Sequence, residues 1–453
     1  MDRSMRGRRR PWAYRPGNES LEDRRLLSGG TWPPYIPRAE LRALLHQGTP
    51  AVRPNTPVLP YGVAAKVATY VDPTARIVNG YAVIVGSPGF IGPYATLDAH
   101  GGLIQVGNSS VILDNAAIVA NTVHAGTAPA PEARIGSFVY VGYGATIQGP
   151  STVSSYDATR PTSIGPGAVI DGATIQQGAI VSALARVGPG VTVPSGIRVL
   201  PGADVATDAE ASDPALGKVV AATSSDLSDV TKQLTNNLLL AQGYVTLYQG
   251  QSATGVSAGV PTTVSGIYYG NLAAVSGVSR QPGSPTASTA FLPPGKGAQF
   301  PRPRGGLAQS TLYNFHARVT GQALFHQRAR AVQANSGRGV AIRADQGQPI
   351  TIGSIAGLGN GVTINSPGGG ALTIGQAFTA GNKATILGDG TRTAVIGDNV
   401  SIGSGAVVSG SSLGSGTTVG DRAYVLNSTF PANSRIPAGA IYINNALVGT
   451  VQW

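Results

Sequence analysis

The sequence predicts an all-β protein built from parallel β-helices, and three observations carry this prediction. Aliphatic residues recur at six-residue spacing, with one five-residue slip: Ile164, Ile170, Ile175, Val181, Val187, Val193 and Val199. A second series with the same spacing occupies residues 352–425. Charged residues are only 12% of the chain, and Gly numbers 63, which suits a surface of turns and small polar side chains. A period of six is neither the 3.6 of a helix nor the 2 of a simple strand. It places one aliphatic residue on each flat side of a coil, and stacked coils bury these residues together.

The chain opens with an arginine-rich segment at residues 1–30, which has no apolar run of the kind that a signal peptide contains. Residues 21–28, LEDRRLLS, resemble the LEPR-xLL segment that opens many bacterial cell-surface proteins. That resemblance implies a sorting segment and an extracytoplasmic or cell-surface location in a bacterium; a disordered basic arm is the alternative. Residues 31–62 are proline-rich and predict a linker.

Residues 63–210 predict the first β-helix. Its aliphatic positions ahead of residue 164 are Val85, Ile91, Leu97, Val106, Ile112, Ile118, Ile135, Val141 and Ile147. The period breaks at residues 121–133 and 149–163. We therefore expect these two segments to be loops that leave the corners of the coils.

Residues 211–250 predict an amphipathic helix, because apolar residues between 224 and 248 fall at three- and four-residue spacing. Asp226 and Asp229 favour its N-terminus through the helix dipole. Its apolar stripe is expected to pack on the flank of a β-helix. Residues 251–304, rich in Gly, Pro, Ser and Thr, predict a flexible linker.

Residues 305–453 predict a second β-helix that ends in a hairpin. Its aliphatic positions include Ile352, Leu358, Ile364, Ile374, Ala380, Ile386, Ile396, Ile402, Val408, Leu413, Val419 and Val425. A terminal hairpin would cover strand edges that otherwise invite aggregation.

The net charge of +11 has one source at the N-terminus and another at residues 302–343, which contain seven arginines and no acidic residue. This Arg-rich region could bind an anionic polysaccharide or another anionic surface polymer, although a solvated face has the same composition. No interleaving of basic and aromatic residues indicates a nucleic-acid partner. No apolar run is long enough to span a membrane, and the chain has no cysteine.

Both predicted β-helices resemble γ-class carbonic anhydrases and their relatives. The motifs of the first are VDPTARI, FIGPYATLDAHGG, VILDNAAIVAN, IGSFVYVGYGATIQG and IGPGAVIDGATI. Those of the second are IRADQGQPITIG, NGVTINS, IGQAFTAGNKATILG, IGDNVSIGSGAVV and IPAGAIYIN. The second series also resembles the anhydrase-like domain of a carboxysome shell-associated protein. The resemblance implies left-handed coils, trimeric assembly, and a zinc ion held by two histidines of one subunit and one of its neighbour.

The resemblance implies zinc ligands at six positions, and none of the six is histidine. They are Val119, Tyr143 and Gln148 in the first β-helix, and Asn365, Asn382 and Leu387 in the second. Valine and leucine cannot bind a metal, and amide oxygens bind zinc poorly. The five histidines are His46, His100, His124, His316 and His326. No two of them have the spacing of a shared metal site, so we expect no cofactor, and zinc only if an unrecognised site exists.

The second β-helix keeps Arg343 and Asp345 of a family segment that fixes the active loop and bridges subunits. Gln346 replaces the glutamate of that segment. We expect Arg343 and Asp345 to form a structural ion pair between coils or subunits. Assembly would then be retained where the chemistry was lost.

The leading hypothesis is a non-catalytic scaffold of two degenerate γ-carbonic-anhydrase-like β-helices, packed within the chain or assembled as a trimer through their faces. The first alternative is an enzyme, either a zinc-dependent carbonate dehydratase or a hexapeptide acyltransferase. In an acyltransferase, His124 in its loop would be the general base, though an idle surface histidine is the simpler interpretation. The second alternative is a binder of anionic polymers through residues 302–343.

Overall fold

The computed structural model describes residues 69–248 except 73, 79–81, 100–101 and 121–131, and residues 317–453 except 322, 328, 347–349, 370 and 389–392. Within these ranges the chain forms two stacks of parallel coils, each with three sheets. The first β-helix covers residues 69–221 and the second covers residues 317–450. The predicted fold class is confirmed: the protein is mostly β, and its strands pair in parallel from coil to coil.

Sheets A, B and C form the three sides of the first β-helix. Sheet A contains Thr69–Val71, Gly89–Ile91, Ser110–Ile112, Val139–Val141, Thr162–Ile164, Ile180–Val181, Ile197–Val199 and the antiparallel Val219–Ala221. Sheet B contains Arg76–Val78, Thr96–Asp98, Ala117–Val119, Thr146–Gln148, Val169–Asp171, Arg186–Val187 and Asp204–Val205. Sheet C contains Val83–Val85, Leu103–Val106, Glu132–Ile135, Ser151–Val153, Thr174–Ile175 and Thr192–Val193.

Sheets D, E and F form the second β-helix. Sheet D contains Ala317–Gly321, Val340–Ala344, Thr363–Asn365, Thr385–Leu387, Val407–Ser409, Tyr424–Leu426, Ala440–Ile443 and the antiparallel Ala446–Thr450. Sheet E contains Ala323–Phe325, Ile350–Ile352, Leu372–Ile374, Ala394–Ile396, Ser412–Leu413 and Thr429–Phe430. Sheet F contains Ile355–Leu358, Phe378–Ala380, Ser401–Ile402, Thr418–Val419 and Arg435–Ile436. The last two strands of sheet D confirm the predicted terminal hairpin.

The six-residue period corresponds to ladders of stacked side chains in the core. In sheet A the stacked residues are Val71, Ile91, Ile112, Val141, Ile164, Val181 and Val199. Each of these side chains is at most 1% exposed. The five-residue slips before Ile175 and Leu413 come at short corners, where Gly172 and Gly410 adopt left-handed backbone angles. Left-handed residues also stand at six-residue corners, such as Gly167 and Gly178, so the slip reflects a corner that is one residue shorter.

The prediction that residues 149–163 form a single loop was wrong. Ser151–Val153 is a strand of sheet C, and Val153 is fully buried between Ile135 and Ile175. Only the residues after this strand leave the coil. The period was hidden because no aliphatic residue stands six places after Val153.

Within the described ranges the chain also forms three α-helices: α1 (Asp208–Ser212), α2 (Ser224–Tyr248) and α3 (Ala329–Ala334). Helix α2 is the predicted amphipathic helix, but the segment assigned to it, 211–250, also contains the strand Val219–Ala221. Thr223 Oγ1 accepts a hydrogen bond from Asp226 N, while Asp226 Oδ2 accepts from Thr223 N. These reciprocal bonds begin α2.

Helix α2 packs on the outer side of sheet A, as its apolar stripe predicted. Val230, Leu234 and Leu240 of α2 are buried in one cluster with Phe90 and Val111 of the sheet. Helices α1 and α3 were not predicted. In the described ranges, no helix is both long and apolar enough to cross a membrane.

Several predictions concern residues outside the described ranges. These are the sorting segment at 1–30, the linkers at 31–62 and 251–304, and the histidines His46, His100, His124 and His316. The domain boundaries of the two β-helices, 63–210 and 305–453, stay predictions.

Candidate functional site at the interface between the two β-helices

The two β-helices pack side by side, with sheet D of the second against the corner between sheets A and B of the first. Side-chain and backbone contacts follow one another in the same order along both: Arg318 with Asp72, Arg343 with Asp114, Asn365 with Tyr143, and Trp453 with Leu184. The coils of the two β-helices therefore advance in the same direction. We consider this interface the candidate functional site, because the buried charged side chains of the described residues lie in it.

Close approach at the far end of the interface depends on Gly202. This residue has a φ of 69°, and a Cβ atom placed on it would lie 2.8 Å from Ile441 Cδ1 and 3.0 Å from Val451 Cα. The carbonyl oxygen of Gly202 accepts a hydrogen bond of 2.9 Å from Gln452 N. A left-handed corner without a side chain lets the C-terminal residues reach the first β-helix.

Five charged side chains form a buried cluster in this interface, which we call the ionic cluster: Asp72, Asp114, Arg318, Arg343 and Asp345. Arg318 Nη2 lies 3.1 Å from Asp72 Oδ2. Arg343 Nη1 donates to Asp114 Oδ1, and Arg343 Nε lies 3.3 Å from Asp345 Oδ2. The Arg343 guanidinium also stacks over the ring of Phe90, 5.1 Å from its centroid. Arg343 therefore connects the predicted partner Asp345 with a carboxylate of the other β-helix.

Asp72, Asp114 and Arg318 were not predicted as members of this cluster. A weak signal exists. Asp72 directly follows a buried strand and Asp114 stands two residues after another, while Arg343 interrupts an otherwise apolar strand. The burial of both arginines also bears on the Arg-rich region. Arg318 and Arg343 are each 1% exposed, so neither is available to an external polymer, while Arg338 lies at the surface.

Burial changes the acid–base behaviour of the groups in this interface. Removal from water raises the pKa of Asp114 to about 7, although Arg343 opposes this shift. The pKa of Tyr143 is likewise raised well above its ordinary value by burial. Charged forms are disfavoured in a medium that solvates them poorly. The Tyr143 hydroxyl therefore stays protonated.

Three of the six positions at which the resemblance implies zinc ligands meet in this interface. Asn365 Nδ2 donates a hydrogen bond of 2.7 Å to Tyr143 Oη. Leu387 pairs with Asn365 on the next strand of sheet D and belongs to the same apolar cluster as Tyr143. Their exposed fractions are 1% for Tyr143, 0% for Asn365 and 7% for Leu387.

The other three positions lie elsewhere. Val119 and Gln148 are neighbours on the half-buried outer side of sheet B. Asn382 lies on an exposed corner of the second β-helix, where its Oδ1 accepts a hydrogen bond of 2.8 Å from Asn360 N. The structure therefore brings together one group of three and leaves Asn382 at the surface.

The residues at these positions do not fit zinc. A tetrahedral catalytic site requires three imidazole, thiolate or carboxylate ligands. The interface offers instead a protonated phenol, an amide already bonded to it, and an aliphatic side chain. Across the described residues, no group of three or more His, Cys, Asp or Glu side chains could hold a metal ion. His326, the one histidine with a described side chain, is exposed.

Some buried polar atoms of the interface lack a hydrogen-bond partner: Asp114 Oδ2, Asn365 Oδ1, Gln346 Nε2 and Tyr94 Oη. Buried polar groups without partners are rare in folded proteins and costly. The interface therefore contains polar groups whose burial is costly to the stability of the fold.

The fold places this chain in the class of parallel β-helix proteins. No protein-family model and no curated protein matches the chain. Among solved structures, it is similar to a hexapeptide transferase family protein from Anaplasma phagocytophilum, with 20% identity, a TM-score of 0.20, and coverage of 38% of this chain and 91% of that one. It is also similar to a putative acetyltransferase from Bacillus cereus, with 17% identity, a TM-score of 0.18, and coverage of 39% and 91%.

Proposed function

We propose that the chain is a non-catalytic scaffold made of two degenerate γ-carbonic-anhydrase-like β-helices that pair with each other. One observation carries the proposal: Tyr143, Asn365 and Leu387 occupy a closed, buried contact between the β-helices. One of these residues comes from the first β-helix and two come from the second. This division has the one-plus-two pattern that the resemblance implies for ligands shared between neighbours.

Hydration of carbon dioxide requires a metal-bound water whose pKa lies near neutrality, with an open coordination position for the substrate. Tyr143 and Asn365 instead satisfy each other, and Leu387 closes the same space with a side chain that cannot bind a metal. The ionic cluster next to them links the two β-helices. Contacts that support assembly are therefore present where ligands for catalysis are not.

Metal analysis of the purified full chain, combined with its mass in solution and a carbon dioxide hydration assay, tests the proposal. We expect substoichiometric zinc and no hydration above the buffer rate. One zinc ion per chain, together with hydration that a chelator abolishes, would contradict the scaffold function. The mass would also test the predicted self-association or trimer.

A second experiment tests the resemblance independently of any activity. The triple variant Tyr143→His, Asn365→His and Leu387→His should bind Co²⁺ and show the visible absorption of a tetrahedral site. The matched control is the triple variant Val119→His, Gln148→His and Asn382→His. Val119 and Gln148 are neighbours in sheet B, but Asn382 lies on an exposed corner of the other β-helix, so this variant should not form a three-histidine site within the chain. Equal cobalt binding by both variants, or by neither, would argue against an anhydrase-like interface.

An extracytoplasmic or cell-surface location belongs to the same proposal and is supported by the LEPR-xLL-like residues 21–28. Fractionation of the source cells tests it. Recovery of the chain in the cytoplasmic fraction alone would contradict this location and leave the scaffold function to be judged by the metal analysis.

A further inference from the structure

We propose that the interface between the two β-helices binds one proton per chain near neutral pH, that Asp114 is the acceptor, and that loss of this proton in alkaline solution weakens the packing of the β-helices. This inference goes beyond the scaffold function and does not depend on it. An active enzyme with the same interface would bind the proton as well.

The proposal begins from the burial and the charges of the ionic cluster. Its members are the only charged side chains in the described ranges that are almost fully buried: Asp72 is 3% exposed, Asp114 0%, Asp345 2%, Arg318 1% and Arg343 1%. Three carboxylates therefore lie among two guanidinium groups in a part of the interface that water does not reach. A carboxylate charge is strongly disfavoured away from water, and a proton on one of the three carboxyl groups would remove one such charge.

The hydrogen bonds indicate which carboxyl takes the proton. Asp72 uses both oxygens, since Oδ1 accepts from Thr74 N at 2.8 Å and Oδ2 accepts from Arg318 Nη2 at 3.1 Å. Asp345 Oδ2 lies 3.3 Å from Arg343 Nε. Asp114 differs from Asp72, because its Oδ1 accepts from Arg343 while its buried Oδ2 has no partner. A proton on Asp114 Oδ2 would leave the contact with Arg343 in place.

The groups around Asp114 act in opposite directions. Arg343 and Asp345 face it from the second β-helix, while Asp72, Tyr140 and Tyr143 face it from the first. Burial is the largest influence and raises the pKa of Asp114 from 3.8 to about 7; Arg343 lowers it, and Asp345 and Asp72 raise it further. The neutral tyrosines add no charge at neutral pH. The balance favours the protonated carboxyl.

The raised pKa determines the sign of the pH dependence. Between the unfolded pKa of 3.8 and the folded pKa of about 7, the folded chain holds a proton that the unfolded chain has released. This contribution to stability is complete below the lower value, decreases as pH rises, and is absent above the higher one. In this interval the unfolding equilibrium constant should rise about tenfold per pH unit.

Denaturant unfolding of the full chain between about pH 5 and about pH 8.5 tests the proposal, with the ionic strength held constant. In the wild type the unfolding equilibrium constant should rise with pH. In Asp114→Asn this rise should be absent, because an amide is neutral at every pH. The control, Asp398→Asn, removes a carboxylate from an exposed corner and should keep the wild-type dependence. Wild-type stability that does not change with pH, or Asp114→Asn following the wild-type curve, would overturn the proposal.

Infrared spectroscopy of the folded protein supplies a measurement that does not depend on unfolding. We expect the carbonyl stretch of a protonated carboxylic acid in wild type at mildly acidic pH, and its loss as the pH is raised. The band should be absent in Asp114→Asn. A band that disappears in Asp72→Asn but persists in Asp114→Asn would overturn the assignment.

A small monovalent cation could neutralise the same charge. Stability measured at constant pH, with Na⁺ exchanged for K⁺ or for a bulky organic cation, distinguishes a bound proton from a bound metal cation. Stability that is unchanged by the cation supports the proton. Stability that follows the cation, without the infrared band, would overturn proton binding.

Discussion

Arg343 makes contacts that no apolar side chain in sheet D could replace. Its guanidinium faces Asp345 on the same β-helix, Asp114 on the other, and the ring of Phe90. Because its two carboxylate partners are buried, their stability depends on the charge that Arg343 carries. Arg318, on the preceding strand of sheet D, has the equivalent role for Asp72.

We predict that Arg343→Met destabilises the protein by about 3–5 kcal/mol, because it leaves buried carboxylates without their cation. Methionine retains an unbranched apolar side chain, so the loss reflects charge more than volume. Denaturant unfolding at about pH 8.5, above the folded pKa of Asp114, measures the effect. Arg338→Met is the control: this arginine is exposed, and its replacement should change stability by about 0.5 kcal/mol or less. A similar loss of unfolding free energy in the two variants would show that the charge of Arg343 does not stabilise the interface.

The Tyr143–Asn365 hydrogen bond permits a double-mutant cycle across the interface. Tyr143→Phe should cost about 1–3 kcal/mol, because the buried Asn365 amide loses its partner. Asn365→Leu should have a similar cost, since it leaves the Tyr143 hydroxyl alone. The double variant should be more stable than the sum of the single effects predicts, because no unpaired polar group remains. Additive values would contradict direct coupling. Tyr156→Phe, at a side chain that is 75% exposed, serves as the neutral control.

At the scale of single residues, the buried ladders could be predicted from the sequence, whereas the ionic cluster could not. A six-residue period is local information that every coil repeats. Arg343 and Asp114 are 229 positions apart, and nothing local specifies which carboxylate an arginine will meet. The retained Arg343 and Asp345 indicated a structural role, but the second β-helix had to be placed against the first before Asp114 could be identified.

At the scale of elements, the ladders make each coil depend on its neighbours. Ile147 is fully buried and lies between Ile118 and Ile170 in sheet B. Ile147→Ala should cost about 2–5 kcal/mol, because a closely packed coil cannot collapse around the cavity. Thr146→Ala is the matched control, since its side chain lies on the half-buried outer side of the same strand. Thermal unfolding compares the two, and equal effects would mean that the inward ladder is not the main source of stability.

Corners are the elements that the sequence predicts least well. The slips at Gly172 and Gly410 and the strand at Ser151–Val153 depend on corner length, which varies from coil to coil without a repeated residue pattern. Strand Val219–Ala221 was also missed, because its antiparallel pairing covers an exposed edge rather than continuing the repeat. Helix α2 was predicted well, since a 3.6-residue period over 25 residues contrasts strongly with a six-residue one.

At the scale of the whole molecule, the interface joins the two β-helices so that they should unfold together. The ionic cluster lies at one end of the shared surface, and the C-terminal residues lie at the other. There Trp453 Nε1 donates to Leu184 O at 2.6 Å, and Gln452 Oε1 accepts from Asp204 N at 3.0 Å. A repeat protein transmits stability mainly between neighbouring coils. Contacts at both ends therefore couple the unfolding of one β-helix to that of the other.

Gly202 allows this coupling to be tested without touching a charged group. Gly202→Ala introduces a Cβ atom that would lie 2.8 Å from Ile441 Cδ1 and 3.0 Å from the backbone Cα of Val451. The end of the Ile441 side chain can rotate away, but the Val451 contact requires the C-terminal backbone to shift slightly from the first β-helix. The control is Gly196→Ala, which has the same left-handed backbone but nothing within 4 Å of its Cβ position. Both variants carry the cost of a left-handed alanine, about 1–2 kcal/mol. Only Gly202→Ala should also lose interface contacts.

Hydrogen exchange measured along the chain distinguishes the two variants. In Gly202→Ala, the amide of Gln452 should exchange faster, because its acceptor is the carbonyl oxygen of Gly202. Faster exchange should extend through the hairpin Ala440–Ile443 and Ala446–Thr450, since its packing on the first β-helix is lost. Gly196→Ala should leave the hairpin protected while losing a similar amount of global stability. If both variants leave the hairpin equally protected, the contacts of Gly202 do not hold the hairpin on the first β-helix, and the two ends of the interface are not coupled.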